Sequence, residues 1–244
     1  MQTAPPRIWF TRTLPHEDVQ LLRRKGIEPV VHPLIEIQMR PVQRILRESR
    51  PLPRPDGLLF TSKNAVDAFL SCLAVQPDWL TGVPVYAVGA ATAGRLLQKT
   101  GRRAHTPPEH QQDGTGIARR IIAEHPPGTR IWHFAADRAR PEAGTALQQA
   151  GLAYDAIITY ATRLREGVKP PEEAFSGIAF YSPSAVDAFM INGIAVPDRC
   201  RVAAIGRTTK QALQQQGFRN IMMPAVPATA ALAELLLSEL EPSR

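Results

Sequence analysis

The chain has 244 residues, slightly more than one average domain needs, so two domains are favoured over one. Its 44% hydrophobic and 21% charged residues are ordinary for a globular protein, and no run of about 18 apolar residues predicts a membrane span. The net charge of +7 favours either an anionic partner or merely a basic, solvated surface.

The first half of the chain alternates short apolar strands with helices. A strand at Ile8-Trp9-Phe10 leads through a polar turn to a helix that ends near Gly26. The stretch LLFTSKNAVDAFL, residues 58–70, then predicts a strand, a tight polar turn and a helix. A strand from Val85 leads to a helix that ends near Gly101, and residues 116–122 predict another helix.

The second half repeats this pattern. Ile131-Trp132-His133 leads to Gly151, as the first strand leads to Gly26, and a strand follows at residues 157–162. The stretch IAFYSPSAVDAFM, residues 178–190, matches LLFTSKNAVDAFL at seven of thirteen positions. The stretches 202–209 and 232–240 parallel residues 85–92 and 116–122. We therefore predict an α/β fold with two similar doubly wound parallel-sheet domains that arose by internal duplication.

Polar turns end the strands, at the edge where open parallel sheets bind ligands and where helix N-termini offer free N–H groups to anions. The candidate residues are Thr61, Ser62, Lys63 and Asn64, their counterparts Tyr181, Ser182, Pro183 and Ser184, and the turns 89–92 and 206–209. The alternative is purely structural: Ser62 and Ser184 cap helices, while Asp67 and Asp187 are acids of the first helical turn.

Several other chemistries find no support in the sequence. Residues 89–94 lack both nucleotide-binding fingerprints, and the six histidines lack metal-ligand spacing. The arginines are dispersed, which disfavours nucleic acid, and no G-x-S-x-G elbow supports a hydrolase. Cys72 and Cys200 are expected to pack in apolar surroundings. The start lacks the features of a secretion signal, so a cytoplasmic location is expected.

An ordered set of short motifs resembles the uroporphyrinogen-III synthase family and covers nearly the whole chain. The matching stretches are residues 10–12, 60–66, 87–93, 157–162, 181–186 and 204–209. The resemblance implies two α/β domains joined by two linking strands, with the active site in the cleft between them. It implies one domain from residues 1–37 with 164–244 and another from 38–163, whereas the repeat alone would divide the chain near Pro126.

The resemblance also implies an activity without a cofactor or metal. The linear tetrapyrrole hydroxymethylbilane, which has eight carboxylates, would be closed to uroporphyrinogen III with inversion of its last ring and loss of water. A rival interpretation is a non-catalytic two-domain protein of the same fold that binds an anionic ligand. We expect a monomer that acts on a small molecule, without a nucleic-acid or membrane partner.

By motif matching, Tyr160 is the expected proton donor, although a tyrosine at this place in a strand is also a common half-buried sheet residue. Thr92 and Thr209 match threonines beside the family's cleft, and their alternative role is helix capping. The resemblance and the turn positions together predict substrate binding by Arg12, Thr61, Ser62, Asn64, Gly89, Thr92, Arg138, Ser182, Pro183, Ser184, Gly206, Thr208 and Thr209. Arg207 occupies a variable motif position, and Arg140 is expected to be a solvated surface residue.

Overall fold

The computed structural model describes residues 4–240, which form two compact units. Unit 1 contains the residues up to Glu36 together with those from Arg163 onward, and unit 2 is Ile37–Thr162. The chain therefore leaves unit 1 and returns to it, and it is not divided at Pro126 as the repeat alone suggested. The outermost residues of the expected first domain, 1–3 and 241–244, lie outside the described residues.

Strands and helices alternate along most of the chain. The strands are β1 (Arg7–Phe10), β2 (Glu28–Val31), β3 (Ile35–Met39), β4 (Gly57–Phe60), β5 (Val85–Ala87), β6 (Arg130–Ala136), β7 (Ala153–Leu164), β8 (Gly177–Phe180) and β9 (Arg201–Ala204). The helices are α1 (His16–Arg24), α2 (Val42–Ser49), α3 (Lys63–Leu73), α4 (Ala90–Thr100), α5 (Gly114–Glu124), α6 (Glu142–Gln149), α7 (Pro183–Ile191), α8 (Arg207–Gln215) and α9 (Thr229–Ser238). Short 3-10 turns lie at Pro77–Leu80 and Glu109–Gln111.

Each unit contains one sheet. The order is β2-β1-β8-β9 in unit 1 and β3-β7-β6-β4-β5 in unit 2. The pairs β1–β2, β1–β8 and β8–β9 are parallel, and so are β4–β5, β4–β6 and β6–β7. The strands β3 and β7 cross the boundary between the units, which agrees with a two-strand connection.

Both sheets carry a hydrophobic core on each face. In unit 2, alternate strand residues such as Leu58 and Phe60 pack with α2, α3 and α4, whereas Leu59 packs with α5 and α6. In unit 1, Trp9 packs with α7 and α8, whereas Phe10 packs with α1 and α9. Burial on both faces explains the unbroken apolar runs of the strands, and the predicted doubly wound α/β class is confirmed.

The two units share one topology in a permuted order. The sheet order β7-β6-β4-β5 of unit 2 corresponds to β2-β1-β8-β9 of unit 1, so β4 matches β8 and β6 matches β1. Equivalent isolated parallel bridges, Tyr86 with His105 and Ala203 with Met222, extend both sheets at the same place. The chain order of the matching strands is β4, β5, β6, β7 in one unit and β8, β9, β1, β2 in the other. This correspondence supports the predicted duplication, which stays a prediction.

Two details of the repeated strand-turn-helix phrase differ from expectation. Ser62 caps α3 by accepting a hydrogen bond from Ala65 N–H at 3.1 Å, but the cap of α7 is Ser182 and not Ser184. Pro183 occupies the first turn of α7, where its missing N–H costs nothing. Asp67 and Asp187 lie beyond the first turns of α3 and α7, so neither is a first-turn acid. Asp67 instead pairs with Arg95 of α4 at 2.7 Å.

Within residues 4–240, no helix is both long enough and apolar enough to cross a lipid bilayer.

Candidate active site

The topology of each unit defines one edge where a ligand would be expected. In unit 2, β4 leads through α3 to β5 on one side, whereas its neighbour β6 leads through α6 to β7 on the other. In unit 1, β8 and β1 diverge in the same way. Crevices in parallel α/β sheets open where adjacent connections diverge, beyond the carboxyl ends of the strands. The predicted site residues Thr61, Ser62, Ser182 and Arg12 directly follow these strands.

Tyr160 lies beside the cap of α3 in unit 2. Its side chain comes from β7 and is only 7% exposed, and its hydroxyl is 2.9 Å from Ser62 Oγ. Burial raises the pKa of Tyr160, and the negative charge of Asp137 adds to this rise. Hydrogen bonds with Ser62 and Asn64 oppose it. The phenol therefore keeps its proton at neutral pH, while two polar side chains are placed to stabilise the phenolate.

The loop after β6 is tied to the strand that carries Tyr160. The Asp137 N–H donates to Tyr160 O at 3.0 Å, and Asp137 Oδ1 accepts from Thr162 N–H at 3.0 Å. Arg138 and Arg140 follow in this loop, and both are exposed. This loop holds basic side chains near the Tyr160 strand, at the same edge of the sheet as Thr61.

A second polar chain runs behind Thr61. Thr61 Oγ1 is 3.0 Å from His133 Nε2, and His133 Nδ1 is 2.7 Å from the Tyr154 hydroxyl. His133 is 1% exposed, and burial lowers its pKa to about 4, so the imidazole is neutral at neutral pH. Burial also raises the pKa of Tyr154 to about 12.

Gly89 is the N-cap of α4, and the side chain of Gln112 covers the N-terminus of this helix. Gln112 Oε1 accepts a hydrogen bond from Ala90 N–H at 3.3 Å, and a Cβ on Gly89 would lie 2.7 Å from that oxygen. The amide oxygen occupies a place that a carboxylate oxygen of a ligand would also suit. Thr92 is buried in the first turn and forms no side-chain cap, so its alternative capping role is wrong.

The matching helix in unit 1, α8, has Gly206 as its N-cap, and its N-terminus is more open. No atom lies within 4 Å of a Cβ built on Gly206. Thr208 is exposed, whereas Thr209 is buried and forms no side-chain cap, which also excludes capping for that residue. Arg207 is exposed at the start of the helix. The N–H groups of this turn are thus available to an anion, and the exposed hydroxyl belongs to Thr208.

Arg12 and Tyr181 lie against each other at the diverging strands of unit 1. The Arg12 guanidinium carbon lies 4.3 Å from the centre of the Tyr181 ring, a cation–π contact. Arg12 Nε is buried without a hydrogen-bond partner among the described residues, whereas a hydrogen bond with Thr229 partly opposes the rise in the pKa of Tyr181. Burial raises the pKa of Tyr181 to about 12. An unpaired buried donor is costly, so the Arg12 guanidinium is suited to an acceptor atom of a ligand.

A cavity of about 820 Å³ in unit 1 lies after β2 and is lined in part by Arg165 and Lys169. Glu172 and Glu173 also line it, so its charge is mixed and it does not present a purely cationic surface. The proline-rich segment at residues 169–171 forms part of its wall. Within the described residues, no group of three His, Cys, Asp or Glu side chains is arranged to hold a metal ion.

The structure brings together some predicted residues within each unit. In unit 2, Ser62, Asn64 and Tyr160 form one cluster, with Thr61 next to it in the chain. Sequence reasoning missed His133, Tyr154 and Gln112. His133 had one available signal, since it is a polar residue inside the apolar run 131–136, whereas Gln112 lies 22 residues from its partner Ala90 and had none.

Comparisons with known proteins agree with this architecture. Residues 16–234 match the model of the family described as "Uroporphyrinogen-III synthase HemD". The chain is similar to a mutant uroporphyrinogen III synthase from Thermus thermophilus, with 18% identity, a TM-score of 0.68 and coverage of 96% of this chain and 98% of that chain. For uroporphyrinogen-III synthetase from Helicobacter pylori the identity is 21%, the TM-score 0.67 and the coverage 96% and 99%. At such identities the solved structures support the fold alone, and the family match extends over most of the sequence.

Proposed function

The chain belongs to the uroporphyrinogen-III synthase family, and we propose how its own residues carry out that family's reaction. The protein is a lyase of tetrapyrrole biosynthesis, and its substrate is a linear tetrapyrrole. It closes hydroxymethylbilane to uroporphyrinogen III, with inversion of the last pyrrole ring and loss of water.

The first step breaks the bond between carbon and the terminal hydroxyl. An electron-rich pyrrole expels this hydroxyl once the oxygen receives a proton, which releases water and leaves a delocalised cation. The last ring then attacks through its substituted carbon and gives a spiro intermediate, which fragments and recloses at the other position. Loss of a ring proton restores the aromatic pyrrole, and this proton balances the one used to release water. The protein must therefore supply one acid and control the geometry.

We assign the acid to Tyr160, and its hydrogen-bonded position beside the cap of α3 carries this assignment. Ser62 Oγ already accepts the Ala65 N–H, so the serine proton is free to be donated to the Tyr160 oxygen. The tyrosine proton is then free for the leaving hydroxyl. Ser62 and Asn64 both favour the phenolate, which lowers the cost of giving the proton away.

The eight substrate carboxylates account for the basic character of the chain. We propose that they bind the N–H groups and hydroxyls at the four strand-to-helix turns, namely Thr61, Ser62 and Asn64; Gly89 and Thr92; Ser182 and Ser184; and Gly206, Thr208 and Thr209. Pro183 has no N–H to donate, so it would contact the substrate only through its ring. Arg12 and Arg138 supply positive charge at the same strand ends. The buried threonines Thr92 and Thr209 are the least accessible of this set, so their role requires a local opening or action through a neighbour.

The test of this assignment is Tyr160→Phe assayed with freshly prepared hydroxymethylbilane, with separation of the uroporphyrinogen isomers. Loss of a general acid typically costs about 10²- to 10⁴-fold in rate, so kcat should fall by this order while the unrearranged isomer from spontaneous closure accumulates. Tyr86→Phe is the matched control. It also removes a buried tyrosine hydroxyl, but one that bonds Glu124 and His125 away from the cluster.

Unchanged turnover in folded Tyr160→Phe would remove this residue from the mechanism. Formation of only the unrearranged isomer by the unmodified protein would contradict the enzymatic function and favour a binding protein of the same fold. We also propose that the enzyme acts as a cytoplasmic monomer without a cofactor. Sedimentation with and without the substrate tests the oligomeric state.

A further inference from the structure

Thr61 is held from behind by a neutral histidine whose two nitrogens are both engaged. His133 lies in β6, directly paired with Leu59 of β4, and its ring is almost completely buried. Its Nε2 is 3.0 Å from Thr61 Oγ1 and its Nδ1 is 2.7 Å from the Tyr154 hydroxyl. Gly144 leaves room for that tyrosine, because a Cβ there would lie 2.7 Å from Tyr154 Cε1.

A neutral imidazole has one N–H donor and one acceptor, so this chain of three groups has only two possible directions. In one direction, His133 Nδ1–H donates to the Tyr154 oxygen and the Thr61 hydroxyl donates to His133 Nε2. In the other direction, Tyr154 donates to Nδ1 and Nε2–H donates to Thr61. Only the second direction leaves the Thr61 proton free for another acceptor.

Donor and acceptor strengths favour the second direction. The phenol is the strongest neutral acid of the three groups, and an unprotonated imidazole nitrogen is their strongest acceptor. An aliphatic hydroxyl is also a better acceptor than a phenol, whose lone pair is shared with the ring. The arrangement Tyr154 O–H to Nδ1, then Nε2–H to Thr61 Oγ1, pairs the groups in this order.

We propose that His133 is a positioning residue, which carries its proton on Nε2 and thereby directs the Thr61 hydroxyl proton toward a substrate carboxylate. This inference rests on the proposed function for the identity of the acceptor, but not for the tautomer. Thr61 follows β4 immediately and precedes Ser62, so a carboxylate held by Thr61 would be fixed close to the proposed acid. His133 touches no substrate in this scheme and acts only through Thr61.

The tautomer is measured directly by NMR of protein labelled with ¹⁵N-histidine, without substrate at neutral pH. We expect the His133 signals to show a protonated Nε2 and an unprotonated Nδ1, and His133→Gln identifies these signals by their loss. A protonated Nδ1, or an imidazolium at neutral pH, would overturn the proposal even in a fully active enzyme. Tyr154→Phe removes the donor to Nδ1 and should shift the tautomer toward protonated Nδ1.

Steady-state kinetics test the consequence for binding. Thr61→Val removes a hydrogen bond to a charged carboxylate, so KM should increase by about tenfold or more, with a smaller change in kcat. His133→Leu should raise KM similarly, whereas His133→Gln, whose amide N–H can still donate to Thr61, should restore much of the affinity. Tyr154→Phe should raise KM, and Tyr86→Phe should not.

An unchanged KM in Thr61→Val would overturn the carboxylate contact, and equal KM values in His133→Leu and His133→Gln would overturn positioning through an N–H donor. If a His133 variant does not fold, Thr61→Val and Tyr154→Phe still decide the matter. Failure of the proposed function is a separate result, since the unmodified protein would then form no uroporphyrinogen III.

Discussion

Acidification is expected to destabilise unit 2 through His133. The folded protein holds this imidazole neutral because burial lowers its pKa from 6.5 to about 4. Its two partners, Thr61 and Tyr154, are uncharged hydroxyl groups, so neither supplies the carboxylate that would favour the imidazolium. As the pH falls, the unfolded chain takes up the proton first, and unfolding becomes more favourable.

The magnitude follows from the difference between the two pKa values. Each pKa unit corresponds to about 1.4 kcal/mol, so the His133 contribution, complete above pH 6.5, is lost below about pH 4 and amounts to about 3 kcal/mol. At pH 4.5 most of this contribution, about 2 to 3 kcal/mol, is lost on the same basis. This loss is a substantial fraction of the usual net stability of a domain, which is about 5–15 kcal/mol.

Urea unfolding from pH 7.5 to pH 4.5 measures this effect, with tryptophan fluorescence as the signal because Trp79 and Trp132 both lie in unit 2. His133→Gln cannot be protonated and should lose about 2 to 3 kcal/mol less than the unmodified protein over this range. His110→Gln, which removes an exposed histidine of the same unit, should follow the unmodified protein. Identical pH profiles for the unmodified protein and His133→Gln would refute a buried, neutral His133.

Two further substitutions separate structural from functional roles. Ser62→Ala and Ser182→Ala each remove a helix cap, so each should lower the free energy of unfolding in urea by about 1 kcal/mol. Only Ser62→Ala also removes the hydrogen-bond partner of Tyr160, so this variant should have the lower kcat. Equal kcat values for the two variants would contradict the role of Ser62. Gly116→Ala should destabilise unit 2 by at least about 1–3 kcal/mol, because its Cβ would meet the Gln111 carbonyl oxygen at 1.9 Å; unchanged stability would contradict the close packing there.

Much of the fold was predictable from local patterns. Apolar runs such as residues 57–60 and 177–180 indicate strands buried on both faces, and the polar turns after them mark the helix starts. The error at Ser184 shows the limit of such patterns. Two serines flank Pro183, and the residue whose hydroxyl reaches the Ala185 N–H is decided by backbone geometry at the turn.

The candidate site was predictable only in part. Motif matching identified Tyr160, Ser62 and Asn64, but the sequence does not reveal that the first two hydroxyls are 2.9 Å apart across 98 residues. His133 was set aside because a histidine search by sequence looks for metal-ligand spacing. Its actual partners are Thr61, in the turn after β4, and Tyr154, in β7, and no local pattern connects them.

The repeated order of strands, turns and helices can be predicted from the sequence, because each short segment contains the apolar residues that are buried and the polar residues that cap its helix. The proton states of Tyr160 and His133 arise only when distant strands come together, since desolvation and hydrogen-bond partners depend on what surrounds a group in space. The same reason explains the division of the chain. The N-terminal strand β1 lies beside β8 in the sheet of unit 1, and Thr11 Oγ1 donates a hydrogen bond to Ala179 O, 168 residues away in the sequence. Without β1, the backbone N–H and C=O groups on that side of β8 would lack their partners.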